Sequence, residues 1–237
     1  MIRQSIDNRV LTITIDDSSR ANSLSADALV ELRDAFAAAS DRQDLGGVLF
    51  NAVGDKGFSA GMDTAQFDHT NSTQAFETIT LLGSVCEAVK NCELPVALSM
   101  KGYVIGGAVE IAAAADFRVG GASSWYSMPE VRIGIPSVLE SVNLHRLMGW
   151  TKANEMILTG NRYSAEAMER CGFLNTVVDD ATVDEVALDY LRATMESDRS
   201  VIAQQKRLFR TWKNTFEDEA ITDSCQEFSL AFARKND

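Results

Sequence analysis

GGVLFNAV, residues 46 to 53, is an almost unbroken apolar run of strand length. Such a run belongs to a strand covered on both faces, since a strand with one wet side alternates apolar and polar residues. Upstream, RVLTITID (9 to 16) alternates and is rich in β-branched residues, which predicts a second strand. Between them, SADALVELRDAFAAAS (25 to 40) places Leu29, Leu32 and Phe36 at helical spacing behind a Ser25 cap. Downstream, the loop GDKGFSAGMD (54 to 63) leads to a helix from about Asn71 to Asn91, then Pro95 and the strand VALSMK (96 to 101). Strand, helix, strand, helix, strand predicts the α/β class with parallel pairing.

Beyond this the pattern predicts a helix near 107 to 115 and short strands at 116 to 120 and 124 to 128. Helices follow at 138 to 148, 151 to 159 and 164 to 171, then a strand NTVV (175 to 178). Three more helices, near 183 to 197, 199 to 213 and 217 to 233, complete the chain. The expected organisation is an α/β core over 1 to 178 with a helical region over 179 to 237 in the same domain.

The 237 residues carry a formal charge of −12, which opposes binding to nucleic acid or an anionic membrane. The N-terminal MIRQSIDNRV lacks the apolar segment of a signal peptide, and no uncharged stretch is long enough to span a bilayer, so the cytoplasm is the expected compartment. Cys86, Cys92, Cys171 and Cys225 form no C-x-x-C pair, and His69 and His145 are the only histidines. That pattern predicts reduced, packing cysteines and no metal site.

Within the first loop, G-F-S-A-G (57 to 61) satisfies the G-x-S-x-G pattern of a nucleophile elbow. An elbow puts its serine directly on the strand-to-helix turn, with a later histidine as base. Here a polar GDKG turn separates the strand from Ser59, and the one well-separated later histidine, His145, sits in the helical VNLHRLMGW. The alternative use of the loop is its backbone: Gly57 and Gly61 permit unusual torsions, and Asp63 can cap a helix from Thr64, turning the amides around Met62 toward an anion.

KGYVIGGAVEIAAAADF (101 to 117) is a second glycine site, with G-x-x-x-G-G opening an apolar helix. It lacks the third glycine of a dinucleotide fingerprint and the Gly-Lys-Ser/Thr of a phosphate loop. Glu110, between Val109 and Ile111, stands one turn along from Gly107. It is either on a solvated helix face or a buried carboxyl with a raised pKa beside free helix amides. Glu130, in SMPEVRIGIPS, is a candidate second carboxylate.

In order and spacing, SRANSL (19 to 24), FSAGMD (58 to 63), KGYVIGGAVEIAAAADFRV (101 to 119), MPEVRIGIPS (128 to 137) and LTGNRYSAEAMERCGFLNTVV (158 to 178) resemble the crotonase superfamily, the enoyl-CoA hydratases and isomerases. The resemblance implies a spiral of ββα turns with a C-terminal helical trimerisation region, assembled as homotrimers or hexamers. It implies that the amides of Met62 and Gly107 form an oxyanion hole for an acyl-CoA thioester, and that Glu110 and Glu130 are the two glutamates the hydratases use. Coenzyme A would arrive as part of the substrate, with no separate cofactor, against Arg20, Ala60, Met62, Asp63 and Lys206. Departures are Ala108 for a frequent third glycine, Lys101 for a frequent Asn or His, and GIPSVLES for a glycine-richer loop. Many members also carry one more helix beyond the position of FARKND (232 to 237). A hydratase is the expected activity. An isomerase, a decarboxylase or a noncatalytic acyl-CoA-binding protein on the same scaffold are the alternatives.

Overall fold

The computed structural model describes residues 1 to 67 and 71 to 233; His69 lies outside them. Strand β1 (Ile2–Asp7) pairs antiparallel with β2 (Val10–Ile15) across a two-residue turn in which Asn8 and Arg9 have φ of 47° and 67°. Both values lie in the left-handed region that such a tight hairpin requires. The sequence pattern missed β1 because it is a largely exposed edge strand with little apolar signal. Helix α1 (Ala26–Asp41) begins as expected, with the Ser25 Oγ accepting from the Ala28 amide. Strand β3 (Gly47–Ala52) follows.

From β3 onward the chain repeats a strand, a second short strand and a helix. The first turn is β3, β4 (Gly57–Ser59) and α2 (Ser72–Asn91), the helix opened by a capping box between Asn71 and Gln74. The second is β5 (Val96–Met100), β6 (Tyr103–Ile105) and α3 (Gly107–Ala114). The third is β7 (Phe117–Gly121), β8 (Trp125–Ser127) and α4 (Ser141–Thr159), which is broken at Gly149 with φ 75° and ψ 156°. The two helices expected over 138 to 159 are the halves of this kinked α4. The remainder is β9 (Tyr163–Ser164), α5 (Ala165–Arg170), β10 (Thr176–Val178), α6 (Val183–Met195), α7 (Arg199–Asn214) and α8 (Glu217–Ala233).

The first strand of each turn joins a six-stranded sheet in the order β1-β2-β3-β5-β7-β10, parallel from β2 onward. The second joins a four-stranded sheet, β4-β6-β8-β9. Sequence periodicity gave no sign of β4 or β6, because three-residue strands are too short to show a period.

The apolar run at 46 to 53 has the two-sided burial its composition demands. Val48 and Phe50 enter the main core with α1, α2 and α3, while Leu49 packs on the opposite face against α6. Helix α6 therefore covers one face of the large sheet, with Ala187 and Leu191 over Val10, Ala97 and Val119. A Cβ added to Gly47 would lie 3.1 Å from the Leu191 side chain, which shows how closely helix and strand approach. The division placed at 178/179 thus runs between the sheet and one of its own covering layers.

Candidate active site

Two loops meet where the strands of the small sheet end. The first, after β4, is tied down on one side by Leu24, whose amide donates to the Gly61 carbonyl (2.8 Å) while its own carbonyl accepts from Asp63 (3.2 Å). A parallel bridge between Leu24 and Met62 uses those groups and leaves the Met62 amide pointing the other way. The second loop, after β6, turns at Gly106 (φ 54°, ψ −119°), whose amide donates to Ser127 O and whose carbonyl accepts from Val109 and Glu110. The Gly107 amide then lies in the first turn of α3, where no helical acceptor exists. Neither the Met62 nor the Gly107 amide donates to a protein acceptor among the described residues.

The glycines hold these loops together. A Cβ on Gly61 (φ 80°) would fall 2.4 Å from Ile105 O and 3.3 Å from the Gly107 nitrogen, and one on Gly107 would be 3.4 Å from Met62 Cγ. The two unused amides therefore belong to backbone segments in direct contact. At the far end of α3, Arg118 donates to the carbonyls of Ala115 (2.7 Å) and Ala112 (3.3 Å), closing the negative end of the helix.

Ser59 is fully buried, and its hydroxyl donates to Asn22 O (2.7 Å) and accepts from Gly61 N (3.1 Å). It braces the loop and is out of reach of any reactant. Asn22 is buried with it, its amide group donating to the carbonyls of Val53 (3.0 Å) and Gly57 (3.1 Å). His145 stacks on Trp150 at 4.1 Å, away from Ser59's partners. The serine-hydrolase alternative has no geometry to support it.

One cavity of roughly 100 Å³ is lined by Ala60, Met62, Gly107, Glu110 and Glu130 together. Ile79 and Leu82 of α2 and the segment Ile133, Ile135, Pro136 and Val138 form much of the rest of its wall. Glu110 is buried, accepts from Ser141 Oγ at 3.0 Å, and has its pKa pushed up to about 8, first by burial and then by the nearby charges of Glu130 and Glu140. The buried alternative for Glu110 therefore holds. Glu130 accepts from Ser137 Oγ at 3.0 Å, and burial raises its pKa as well. A larger hollow of about 660 Å³ between α7 and α8 is walled mainly by apolar side chains such as Trp212, Ile221 and Phe228 and brings no such set of groups together.

Arg20 and Asp63 sit beside the Met62 loop, 3.6 Å apart, with Asp17 also 3.2 Å from the half-exposed guanidinium. Asp63 caps the short turn Thr64–Phe67 by accepting from the Ala65 amide at 3.1 Å. Lys206 is not with them. Its buried ammonium donates to Leu94 O (2.8 Å) and to Asp116 (2.6 Å), before β5 and past the last turn of α3, so the helix separates it from the Met62 and Gly107 amides. Both acceptors are internal, which leaves Lys206 as a cross-brace. Among the described residues no cluster of metal-ligating side chains occurs, and no helix is long and apolar enough to cross a membrane.

A family model described as enoyl-CoA hydratase/isomerase matches residues 5 to 236. The chain belongs to that family, within the crotonase superfamily. Among curated proteins it is similar to a crotonyl-CoA hydratase of Syntrophomonas wolfei, 26% identical over 97% of this chain and 89% of the relative. It is also similar to a carnitinyl-CoA dehydratase of Shigella flexneri, 29% identical over 96% and 93%. Among solved structures, DspI of Pseudomonas aeruginosa superposes with a TM-score of 0.93 at 24% identity, covering 98% of this chain and 88% of that one. The enoyl-CoA hydratase of Bacillus anthracis does so with 0.91 at 23%, covering 96% and 89%. The fold is that of the crotonases, an α/β spiral with a helical C-terminal region.

Sequence reasoning missed several members of this candidate site. Ser137 and Ser141 lie in the GIPSVLES departure, where their seven- and eleven-residue distances from Glu130 carried no periodic signal. Ile79 and Leu82 were accessible, being spaced i, i+3 on the helix expected from about Asn71 to Asn91.

Proposed function

We propose that this crotonase-superfamily protein is an enoyl-CoA hydratase, adding water across the double bond of a 2-enoyl-CoA thioester. One observation carries the reading: two unused backbone amides and two proton-hungry carboxyls line a single small cavity. Conjugation places negative charge on the thioester oxygen as water attacks the β-carbon. Amides aimed at that oxygen stabilise the enolate more than the neutral substrate, each by about 3 kcal/mol.

The two glutamates divide the proton traffic. In the form of the pair that carries its single proton on Glu130, the ionised Glu110 takes a proton from water as its oxygen bonds to the β-carbon, and the π electrons move onto the thioester oxygen. Protonated Glu130 then delivers its proton to the α-carbon as the carbonyl re-forms. The pair holds one proton before and after, so it titrates as a unit and the rate follows a bell-shaped pH profile. The wall of Ile79, Leu82, Ile133 and Ile135 offers no partner for a charged acyl group, which favours a hydrocarbon chain. Arg20, beside Asp63 and the Met62 loop, is a group suited to meet a coenzyme A phosphate.

Assembly as a homotrimer or hexamer is part of the same proposal. Ile221, Phe228 and Phe232 are exposed along α8, a face that a second copy would cover, and light scattering would give the mass. Turnover is tested against short, medium and aromatic enoyl-CoAs by loss of the conjugated absorbance, with Glu130→Gln as control. Migration of the double bond without net hydration would replace this reading with an isomerase. Binding of coenzyme A with no reaction on any member of the panel would leave an acyl-CoA-binding protein.

A further inference from the structure

Glu110 is not held by its own helix. The only side-chain hydrogen bond it accepts among the described residues comes from Ser141, the first residue of α4, and engages Oε1. Oε2 is left as the oxygen without a side-chain donor. The residue before Ser141 is Glu140, a carboxylate only 5% exposed. Glu140 is clamped by the Lys90 ammonium of α2 and by the Asn143 amide group at 2.6 Å. Lys90 also reaches Glu87, one turn earlier on its own helix.

The helix dipole favours a carboxylate at a helix start, but burying one carries a desolvation cost that a group without charge would avoid. What the ion pair does is anchor the start of α4 to α2, and so fix where the next side chain points. That side chain is Ser141. We infer that Ser141, held by the buried Lys90–Glu140 pair, is a positioning residue that orients Glu110 and biases its charge state.

The charged and titratable groups facing Glu110 give the inference its direction. Glu130 approaches from the turn after β8 and Glu140 from the start of α4, both disfavouring a second negative charge. From α2, the buried Cys86 thiol lies within the field of Glu110, Glu140, Lys90 and Glu87. Ser141 works the other way, since a donated hydrogen bond favours the ionised carboxylate. Lys90 compensates Glu140 and thereby limits the repulsion that Glu140 exerts.

This rests on the reading of Glu110 as one of two working carboxyls, but its test does not need turnover. Carbon-13 at the glutamate carboxyls, with Glu110→Gln to assign the signal, reports the Glu110 titration midpoint in the free protein. Ser141→Ala should raise it by about one pH unit, the tenfold effect of losing a hydrogen bond to a charged group, and Ser141→Thr should restore it. Lys90→Met should raise the midpoint, because it both loosens the anchor of Ser141 and leaves the charge of Glu140 uncompensated. If Lys90→Met does not fold, the two Ser141 variants decide alone. A midpoint unmoved in Ser141→Ala, a threonine variant shifted as far as the alanine one, or a folded Lys90→Met variant whose midpoint does not rise would overturn the inference. Inactivity on every enoyl-CoA, with these shifts present, would instead remove the hydratase reading and leave the positioning role standing.

Discussion

Gly106 and Glu130 are in such close register that a Cβ on the glycine would lie 2.7 Å from Glu130 Oε1. The carboxylate therefore rests on bare backbone at the turn that presents the Gly107 amide. The proposed oxyanion donor and the proposed proton donor are set by one contact.

Gly106→Ala should accordingly damage both. The backbone torsions there favour glycine, and an alanine would cost roughly 1–3 kcal/mol of strain while displacing Glu130. We expect kcat to fall by about a hundredfold or more with a smaller change in KM, because misplacing a reacting group by an ångström is enough for that loss. Steady-state kinetics beside a thermal melt would check it. A folded variant with normal kcat would mean that Glu130 does not work from its present position.

Glu110→Gln should abolish hydration and yet stabilise the protein. Below about pH 4.5 the carboxyl is neutral in folded and unfolded chains alike. Between there and about pH 8 the unfolded chain releases a proton that the folded chain keeps, so stability falls as pH rises and levels off above. Glutamine keeps an acceptor for Ser141 without that charge. The variant's gain in unfolding free energy should be absent near pH 4 and largest above pH 8, amounting to a few kcal/mol at most. A gain that is the same at all pH values would contradict the burial of this group.

Ser59→Ala should behave as a structural lesion. It strips partners from Asn22 O and Gly61 N inside the loop, at a cost of about 1–3 kcal/mol. Some loss of kcat should follow as the Met62 amide loosens. Labelling of the wild-type protein by a fluorophosphonate should be nil; labelling that disappears in the variant would revive the hydrolase alternative.

Arg20 and Lys206 should separate cleanly. Arg20→Ala should raise KM several-fold for coenzyme A thioesters, with the effect shrinking at high salt and kcat little changed. Lys206→Met should leave KM near wild type but lower stability by about 1–3 kcal/mol, since it strands the partly exposed Asp116. An increase in KM confined to Lys206→Met would reverse the two assignments.

How far the residues could be read depended on how local each feature is. The alternation in RVLTITID, the cap at Ser25 and the apolar run at 46 to 53 each reflect the packing of a single element, and each emerged as a strand or helix near its expected bounds. The edge strand β1 and the short strands β4 and β6 were invisible, because their pairing comes from distant backbone rather than from their own side chains. Lys206 shows the opposite failure: a basic residue on a late helix is suggestive in a list of motifs, and only its neighbours reveal that its charge is already spent.

What the sequence determined by itself was the class of fold and the two glycine turns, with Glu110 and Glu130 as candidate carboxyls, since backbone torsion and burial of apolar runs are properties of short segments. What only the tertiary structure decided was their meeting in one cavity, and the serines that bond to each carboxyl there. Desolvation and hydrogen bonding depend on which atoms lie within a few ångströms, and no spacing along the chain between residues 60 and 141 encodes that proximity.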